Sequence, residues 1–370
     1  MPLTRLSLRG FRNFHKLDLE FHPEFNFIYG HNAQGKTNLI EALYYLSALK
    51  SFRTNEKNEL IENSAEFAKI DAVFVKDDLN WDISLTISPS QRQILVNQKR
   101  PQTRKDYHEL IPLILFEPRH IYLFRGTPSE RRQYLNRALF LQDPGVLALF
   151  NNYEKVVQQK NKLLKDRPGR EQIEVWNERL ADLGSQIIFL RQNWFQDLKT
   201  ELAKEYRAIS GTNENLNLIY SPTQNLSGED LPSLHSALLE TLSARLYDEL
   251  ERRESFIGPH RDDWTAALDD RMIGKFGSQG ENRSTVIALK LAQLKLFAAK
   301  FGKTPLFLLD DVASELDEKR CQYLFKYLRD ESAQVFLTTT ENELSHEDFK
   351  ERSRSFLVEC GSVSPFKKIH

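Results

Sequence analysis

Cysteine and methionine are nearly absent from this 370-residue chain, which holds two of each. Cys321 and Cys360 give no metal-ligand spacing and no disulfide framework, and they read as small inert thiols. An excess of charge of either sign is missing too. Lys and Arg total 51 against 52 Asp and Glu, for a net charge of -1 and a pI near 6.8. The whole molecule therefore supplies no attractive field for nucleic acid, and any such surface must be a local patch. No stretch approaches the ~20 apolar residues of a membrane span. The first residues, Met1-Pro2-Leu3-Thr4-Arg5-Leu6, carry too short an apolar run for a secretory signal, so a cytoplasmic protein is expected. No internal repeat or low-complexity tract stands out. What remains is ordinary globular composition, 40% hydrophobic and 28% charged. A chain of this length has room for about two or three domains.

Three regimes follow along the chain. Residues 1–118 read as short strands and turns, with clear alternation in Trp81-Ile83-Leu85-Ile87, separated by Asp82, Ser84 and Thr86. That pattern predicts an antiparallel hairpin with one wet face. From about Ser129 the pattern turns helical. Ile173, Trp176, Leu180, Leu183, Ile187 and Leu190 recur at steps of three and four, and the run continues through Trp194, Leu198 and Leu202. A helix from Arg170 to Ile209 would be ~60 Å long at ~1.5 Å per residue, more than a compact core needs, and a projecting arm is expected. The apolar stripe reads as packing surface. Residues 211–228 break the pattern, a helix from Pro232 to Arg253 follows, and strands alternate with helices again from Phe256.

Within the first regime, Gly30-His31-Asn32-Ala33-Gln34-Gly35-Lys36-Thr37 matches G-x-x-x-x-G-K-[ST]. Four constrained positions would match by chance in roughly one sequence of this length per hundred. The context lowers that further: the apolar run Phe25-Asn26-Phe27-Ile28-Tyr29 precedes the loop, and a helix-forming run opens at Asn38. In such a loop the backbone amides cradle the α and β phosphates of a nucleoside triphosphate, Lys36 reaches β and γ, and Thr37 places its hydroxyl on Mg²⁺. A second signal is Leu306-Phe307-Leu308-Leu309-Asp310-Asp311, the form of a buried parallel strand presenting acids at its C-terminal edge. Asp310 is expected to hold the Mg²⁺ through water, and Asp311 to orient or deprotonate the attacking water. A third is Gly277-Ser278-Gln279-Gly280-Glu281-Asn282-Arg283, opening a helix at Thr285 as a further anion-binding N-terminus. One chain needs a single γ-phosphate cradle, so the second is expected to serve a nucleotide held by another subunit.

In this order, and with the long helical insertion between the first and second loops, the elements resemble the head of ABC-type ATPases of the SMC class. They most resemble the RecF family of bacterial recombination mediators. The further marks are Leu8-Arg9-Gly10-Phe11-Arg12-Asn13-Phe14, Phe116-Glu117-Pro118, Gly126-Thr127-Pro128-Ser129-Glu130-Arg131-Arg132, Gly258-Pro259-His260-Arg261-Asp262-Asp263 and Val312-Ala313-Ser314-Glu315-Leu316-Asp317. The resemblance implies an α/β fold: an ABC-type P-loop ATPase head lobe with a mixed sheet, from residues 1–118 and 256–370. Residues 119–255 form a helical insertion lobe with a short coiled-coil-like arm. It implies ATP-dependent dimerisation through two composite sites and slow DNA-stimulated ATP hydrolysis. It further implies binding to single- and double-stranded DNA, their junctions and gaps, and recombinase loading together with RecO and RecR. By the same resemblance Ser278 and Gly280, with Gln279 between them, meet the γ-phosphate of the partner's ATP, and Asp317 lies at the dimer seam.

The chain departs from the pattern in several places. Asp311 stands where SMC-class heads carry Glu, from which slow hydrolysis is expected. Thr338-Thr339-Thr340 stands where a switch His is common, leaving a weak polar contact at the γ-phosphate. Ala33 replaces a frequent Gly. Gln91, Gln93 and Gln98 are equal candidates for the glutamine that couples metal to the other lobe.

For DNA, the segment from Arg92 to Lys105 contains Arg92, Lys99, Arg100, Arg104 and Lys105 and no acid. It is a phosphate-contacting strip or a charged edge that discourages strand pairing. A second cluster, Lys155, Lys160, Lys162, Lys165, Arg167 and Arg170, is diluted by Glu154 and Asp166. His260 and Arg261 either face a phosphate or are hydrogen-bonded structural residues. Rival functions are an ABC transporter-type ATPase subunit, for which the insertion is too long, and a small-nucleotide phosphotransferase, which would turn over without dimerising.

Overall fold

The structure, a computed structural model, describes residues 1–166, 169–223, 226, 228, 230–311, 315–340, 349 and 351–366. Its contacts divide the chain into two compact units, residues 1–120 with 297–370, and residues 121–296. Residues 256–296, assigned to the head lobe in the sequence reading, pack with the helical insertion.

The first unit holds two sheets. One is antiparallel, with strand order β2 (Phe14–Glu20), β1 (Leu3–Phe11), β4 (Ala68–Lys76), β5 (Leu79–Ile87) and β6 (Arg92–Val96). The alternation expected in β5 is realised, with Ile83, Leu85 and Ile87 buried and Asp82, Ser84 and Thr86 turned outward. β6 is the edge strand, and Asn97 and Gln98, at φ 48° and 63°, close a tight turn behind it. Positive φ at both central residues is the twist that a two-residue hairpin turn needs.

The second sheet runs β14 (Ser362–Pro365), β13 (Ser353–Glu359), β3 (Phe25–Tyr29), β12 (Val335–Thr339), β11 (Leu306–Leu309) and β7 (Leu113–Phe116). All neighbours are parallel except β13 and β14. Strands β3, β11 and β12 are buried at every position. Being covered on both faces, parallel strands read as unbroken apolar runs. Register then puts three strand ends side by side. Leu309 pairs with Leu337 and Phe116, and Thr339 pairs with Tyr29. The P-loop after β3, the acids after β11 and Glu117 after β7 thus leave the same edge of the sheet.

The second unit is mainly helical. The long helix spans Arg170–Ser210, and its buried positions run from Ile173 to Ile209. It packs along the helices Val146–Lys165 and Leu231–Ala244 and along β8 (Leu216–Ser221). Strand β8 lies in the stretch read as a break. It pairs with β9 (Asp263–Leu268), which also pairs with β10 (Arg271–Met272). The helix expected over 232–253 is two, Leu231–Ala244 and Leu246–Arg252.

Candidate functional site

The P-loop is built from strained turns with a purpose. Gly30 has φ 154°, and a Cβ there would lie 2.4 Å from the Val358 carbonyl oxygen on β13. Gly35 has φ 117° and caps the helix Lys36–Ala48. Ala33 adopts φ 64°, so the loop keeps its left-handed turn with alanine in the place of glycine, at some cost in strain. The helix Lys36–Ala48 has no side-chain cap and no acid in its first turn. Its first amides and positive dipole end are thus left for an anion. Lys36 is buried and folds back across the loop, donating to the carbonyls of Gly30 at 2.8 Å and His31 at 3.2 Å.

Thr37 and Asp310 converge, as expected, from positions far apart in the chain: the Thr37 hydroxyl donates to Asp310 Oδ1 at 3.1 Å. Thr338 completes the group. Its hydroxyl donates to the same carboxylate oxygen at 2.9 Å and accepts from the Asp311 amide at 2.8 Å. Thr338 therefore supports the acids, and the reading of the threonine run as a γ-phosphate contact does not hold for this hydroxyl. Burial pushes the Asp310 carboxyl up to about 6. The charges of Asp311 and Glu117 add to the shift, and the hydroxyls of Thr338 and Thr37 oppose it. Asp311 sits at φ 48°, a left-handed conformation of the kind that concentrates at functional sites.

No cluster of three or more metal-ligating side chains occurs among the described residues. The Thr37 and Asp310 oxygens are nevertheless a fitting pair for Mg²⁺, which is commonly held by one or two protein oxygens together with substrate phosphates and water. Sequence reasoning missed Thr338 and Glu117 as neighbours of Asp310. Glu117 is buried and lies 2.7 Å from Arg119 Nε and 3.3 Å from His120 Nε2. Its sequence signals were its place after an apolar run and the Phe116-Glu117-Pro118 mark, neither of which tied it to Asp310. Gln91, Gln93 and Gln98 are exposed, just before, within and just after β6.

The Ser278 loop, in the other unit, has a different character. Ser278 precedes the helix Gln279–Phe301; its Oγ accepts from the Glu281 amide at 3.1 Å, while its own amide donates to Glu281 Oε2 at 2.6 Å. Glu281 also binds Arg271 through both carboxylate oxygens. That bond first, with the Ser278 bonds behind it, holds its carboxyl down at about 2. The helix start is therefore internally capped, with the exposed Ser278 engaged by Glu281 through both its amide and its hydroxyl. Asp317 is the N-cap of Glu318–Asp330, accepting from the Arg320 amide at 3.0 Å. Val312, Ala313 and Ser314 lie outside the described residues.

Among the basic candidates, Lys99, Arg100, Arg104 and Lys105 are exposed, and Lys105 lies 3.8 Å from Glu109. Arg92 is turned inward: it donates to the Leu49 carbonyl and lies over the Tyr45 ring. In the second cluster Lys160 is fully buried against Glu249 and cannot face a ligand, Arg170 pairs with Glu174, and Arg167 lies outside the described residues. His260 is structural, its ring nitrogens held by Tyr153 at 2.7 Å and by the Ser255 carbonyl at 3.1 Å. Burial lowers its pKa to about 4, so it carries no charge at neutral pH. Arg261 pairs with Glu254.

The family described as the RecF/RecN/SMC N-terminal domain matches residues 2–360. The chain is 36% identical to the DNA replication and repair protein RecF of Syntrophotalea carbinolica, covering 99% of this chain and all of the relative. It is 34% identical to that of Lactobacillus delbrueckii subsp. bulgaricus, covering 98% and 97%. Among solved structures it is similar to the recombination mediator protein RecF bound to ATP, described as part of the RecFOR pathway. That match has a TM-score of 0.88 at 30% identity over 99% of this chain and 98% of the other. An SMC head bound to the C-terminal winged-helix domain of ScpA matches at TM-score 0.56 and 16% identity, a likeness of fold alone.

Proposed function

Because the chain belongs to the RecF family, we propose that it is an ATP-dependent, DNA-binding recombination mediator and a slow, DNA-stimulated ATPase. In this reading it closes as a dimer on single-strand/double-strand junctions and gaps and supports recombinase loading with RecO and RecR in the cytoplasm. The observation that carries the proposal is the uncapped helix N-terminus at Gly35 together with the convergence of Thr37 and Asp310. That pair is a phosphate cradle beside a place for a hard cation. Gly30 to Asn38 bind the triphosphate, with Lys36 at the β and γ phosphates. Thr37 and Asp310 hold Mg²⁺, which when bound neutralises charge developing on the phosphates. Asp311 orients the attacking water. Its side chain is one methylene shorter than Glu, which favours slow turnover. Ser278, Gln279 and Gly280 serve the nucleotide of a second copy, with Asp317 near the seam. Lys99, Arg100, Arg104 and Lys105 contact DNA phosphates.

The test is sedimentation of the full chain with and without ATP and gapped DNA. A monomer that becomes a dimer with ATP and then co-sediments with the DNA is the expected result. A chain that hydrolyses ATP while staying monomeric would point to the phosphotransferase.

A further inference from the structure

Asn13, in the turn between β1 and β2, touches both flanks of the Gly35-Lys36-Thr37 triplet. Its Nδ2 donates to the Gln34 carbonyl at 3.0 Å, and its Oδ1 accepts from Asn38 Nδ2 at 2.8 Å. Two glycines close on it. A Cβ on Gly35 would lie 2.5 Å from Asn13 Nδ2, and a Cβ on Gly361, in the turn between β13 and β14, would lie 2.2 Å from the Asn13 carbonyl oxygen. That second turn grips the same P-loop residue: the Gly361 amide donates to the Gln34 carbonyl at 3.2 Å, and the Cys360 amide to Gln34 Oε1 at 2.7 Å. Two distant turns thus meet on Gln34. The loop they hold contains positive φ at Gly30, Ala33 and Gly35, a shape that an unsupported chain would leave.

We infer that Asn13 is a positioning residue for nucleotide binding, clipping the two ends of the lysine-bearing turn so that the phosphate cradle is formed before the nucleotide arrives. The inference rests on the P-loop being the ATP site. Preorganisation of this kind acts on affinity, because the ordering cost is met in the free protein. It acts less directly on Asp310 and Asp311, which Thr338 holds from β12.

The experiment is calorimetric titration of the full chain with Mg-ATP, with steady-state hydrolysis and nucleotide-free melting measured in parallel, for wild type, Asn13→Ala, Asn38→Ala, the double variant and Lys36→Met. Loss of two hydrogen bonds in Asn13→Ala should weaken ATP binding by about tenfold. Its kcat at saturating ATP should stay within about twofold and its melting midpoint within about 2 °C, since Asn13 is exposed and both of its side-chain bonds lie at the surface. The double variant should lose less than the product of the two single effects, because the residues share a bond. Wild-type affinity in Asn13→Ala overturns the inference and leaves the P-loop assignment standing. So does a loss matched by an equal fall in kcat or by a lowered melting midpoint, the mark of general support. Normal ATP binding in Lys36→Met instead overturns the ATP site itself.

Discussion

At the scale of single residues the site depends on side chains whose freedom has been taken away. Thr338 donates to the Asp310 carboxylate and accepts from the Asp311 amide, so one buried hydroxyl fixes the Asp310 side chain and the backbone of Asp311. Asp310, lifted by burial to about 6, holds its proton more tightly in the fold than in the unfolded chain. A raised carboxyl favours the fold below its unfolded value near 4, and that contribution is lost as pH rises through about 6. The ionised form that a metal needs is therefore the less stable one. Asp310→Asn removes the dependence: relative to wild type it should gain stability between pH 4 and pH 7, by up to roughly 3 kcal/mol. Denaturant titrations at several pH values read this directly, and a difference that stays flat from pH 4 to 7 counts against the burial argument. In wild type, Mg²⁺-dependent ATP affinity should fall about tenfold per unit below pH 6 as the proton competes.

At the scale of elements, two helix starts that look alike in sequence behave differently. The helix Lys36–Ala48 begins bare, whereas Gln279–Phe301 begins with Glu281 folded back on Ser278. The first is left for an anion by its own sequence, which lacks an acid in that turn. The second is closed on itself, its Ser278 amide and hydroxyl both engaged by Glu281. The β6 edge belongs to this scale too. With Arg92 committed to the Leu49 carbonyl, the cations facing water are Lys99, Arg100, Arg104 and Lys105. Combined Lys99→Glu, Arg100→Glu and Arg104→Glu should flatten the slope of log duplex affinity against log salt. At about 0.9 per neutralised phosphate, three per subunit in a dimer amount to roughly five units. ATP binding should be untouched. Fluorescence anisotropy over a salt series with ATP present measures the slope, and an unchanged slope moves the DNA surface elsewhere. Lys155, Lys162 and Lys165 are next in line, being exposed on the Val146–Lys165 helix.

At the scale of the whole molecule, the chain forms two compact units, with the P-loop in one and the Ser278 loop in the other. If each Ser278 loop completes the nucleotide site of a second copy, damage to it should spare binding and remove association. Ser278→Arg should bind ATP within about twofold of wild type while dimerisation and hydrolysis are lost, since a bulky cation replaces the hydroxyl meant for a phosphate. Titration and sedimentation of the same preparation separate the two effects. Dimerisation at the wild-type ATP midpoint would rule out the composite site.

How much of this was legible in the chain depends on distance along it. The octet Gly30 to Thr37, the alternation in β5 and the long helix are patterns of local period and turn chemistry, and all three were readable: the helix expected from Arg170 to Ile209 spans Arg170–Ser210. The apolar run ending at Asp310 also announced its strand, because a fully buried parallel strand must be apolar throughout. Other features come from contacts that no local pattern encodes. Asp310 and Thr37 are 273 residues apart, Cys360 and Gln34 are 326 apart, and Lys160 and Glu249 are 89 apart. A charged residue reads the same in sequence whether it faces water, as Lys162 does, or a buried carboxylate, as Lys160 does. The short strand β8 could not be told from a loop, because its hydrogen bonds go to β9, more than forty residues later. Composition and spacing by themselves determined the chemistry on offer: a glycine-rich loop opening a helix, a buried strand ending in two acids and local basic patches. Tertiary structure alone decided which acids share a threonine, which cations are spent on structure and what holds the P-loop in shape. Strand register, set by packing across the sheet, is what brings distant polar groups within bonding distance.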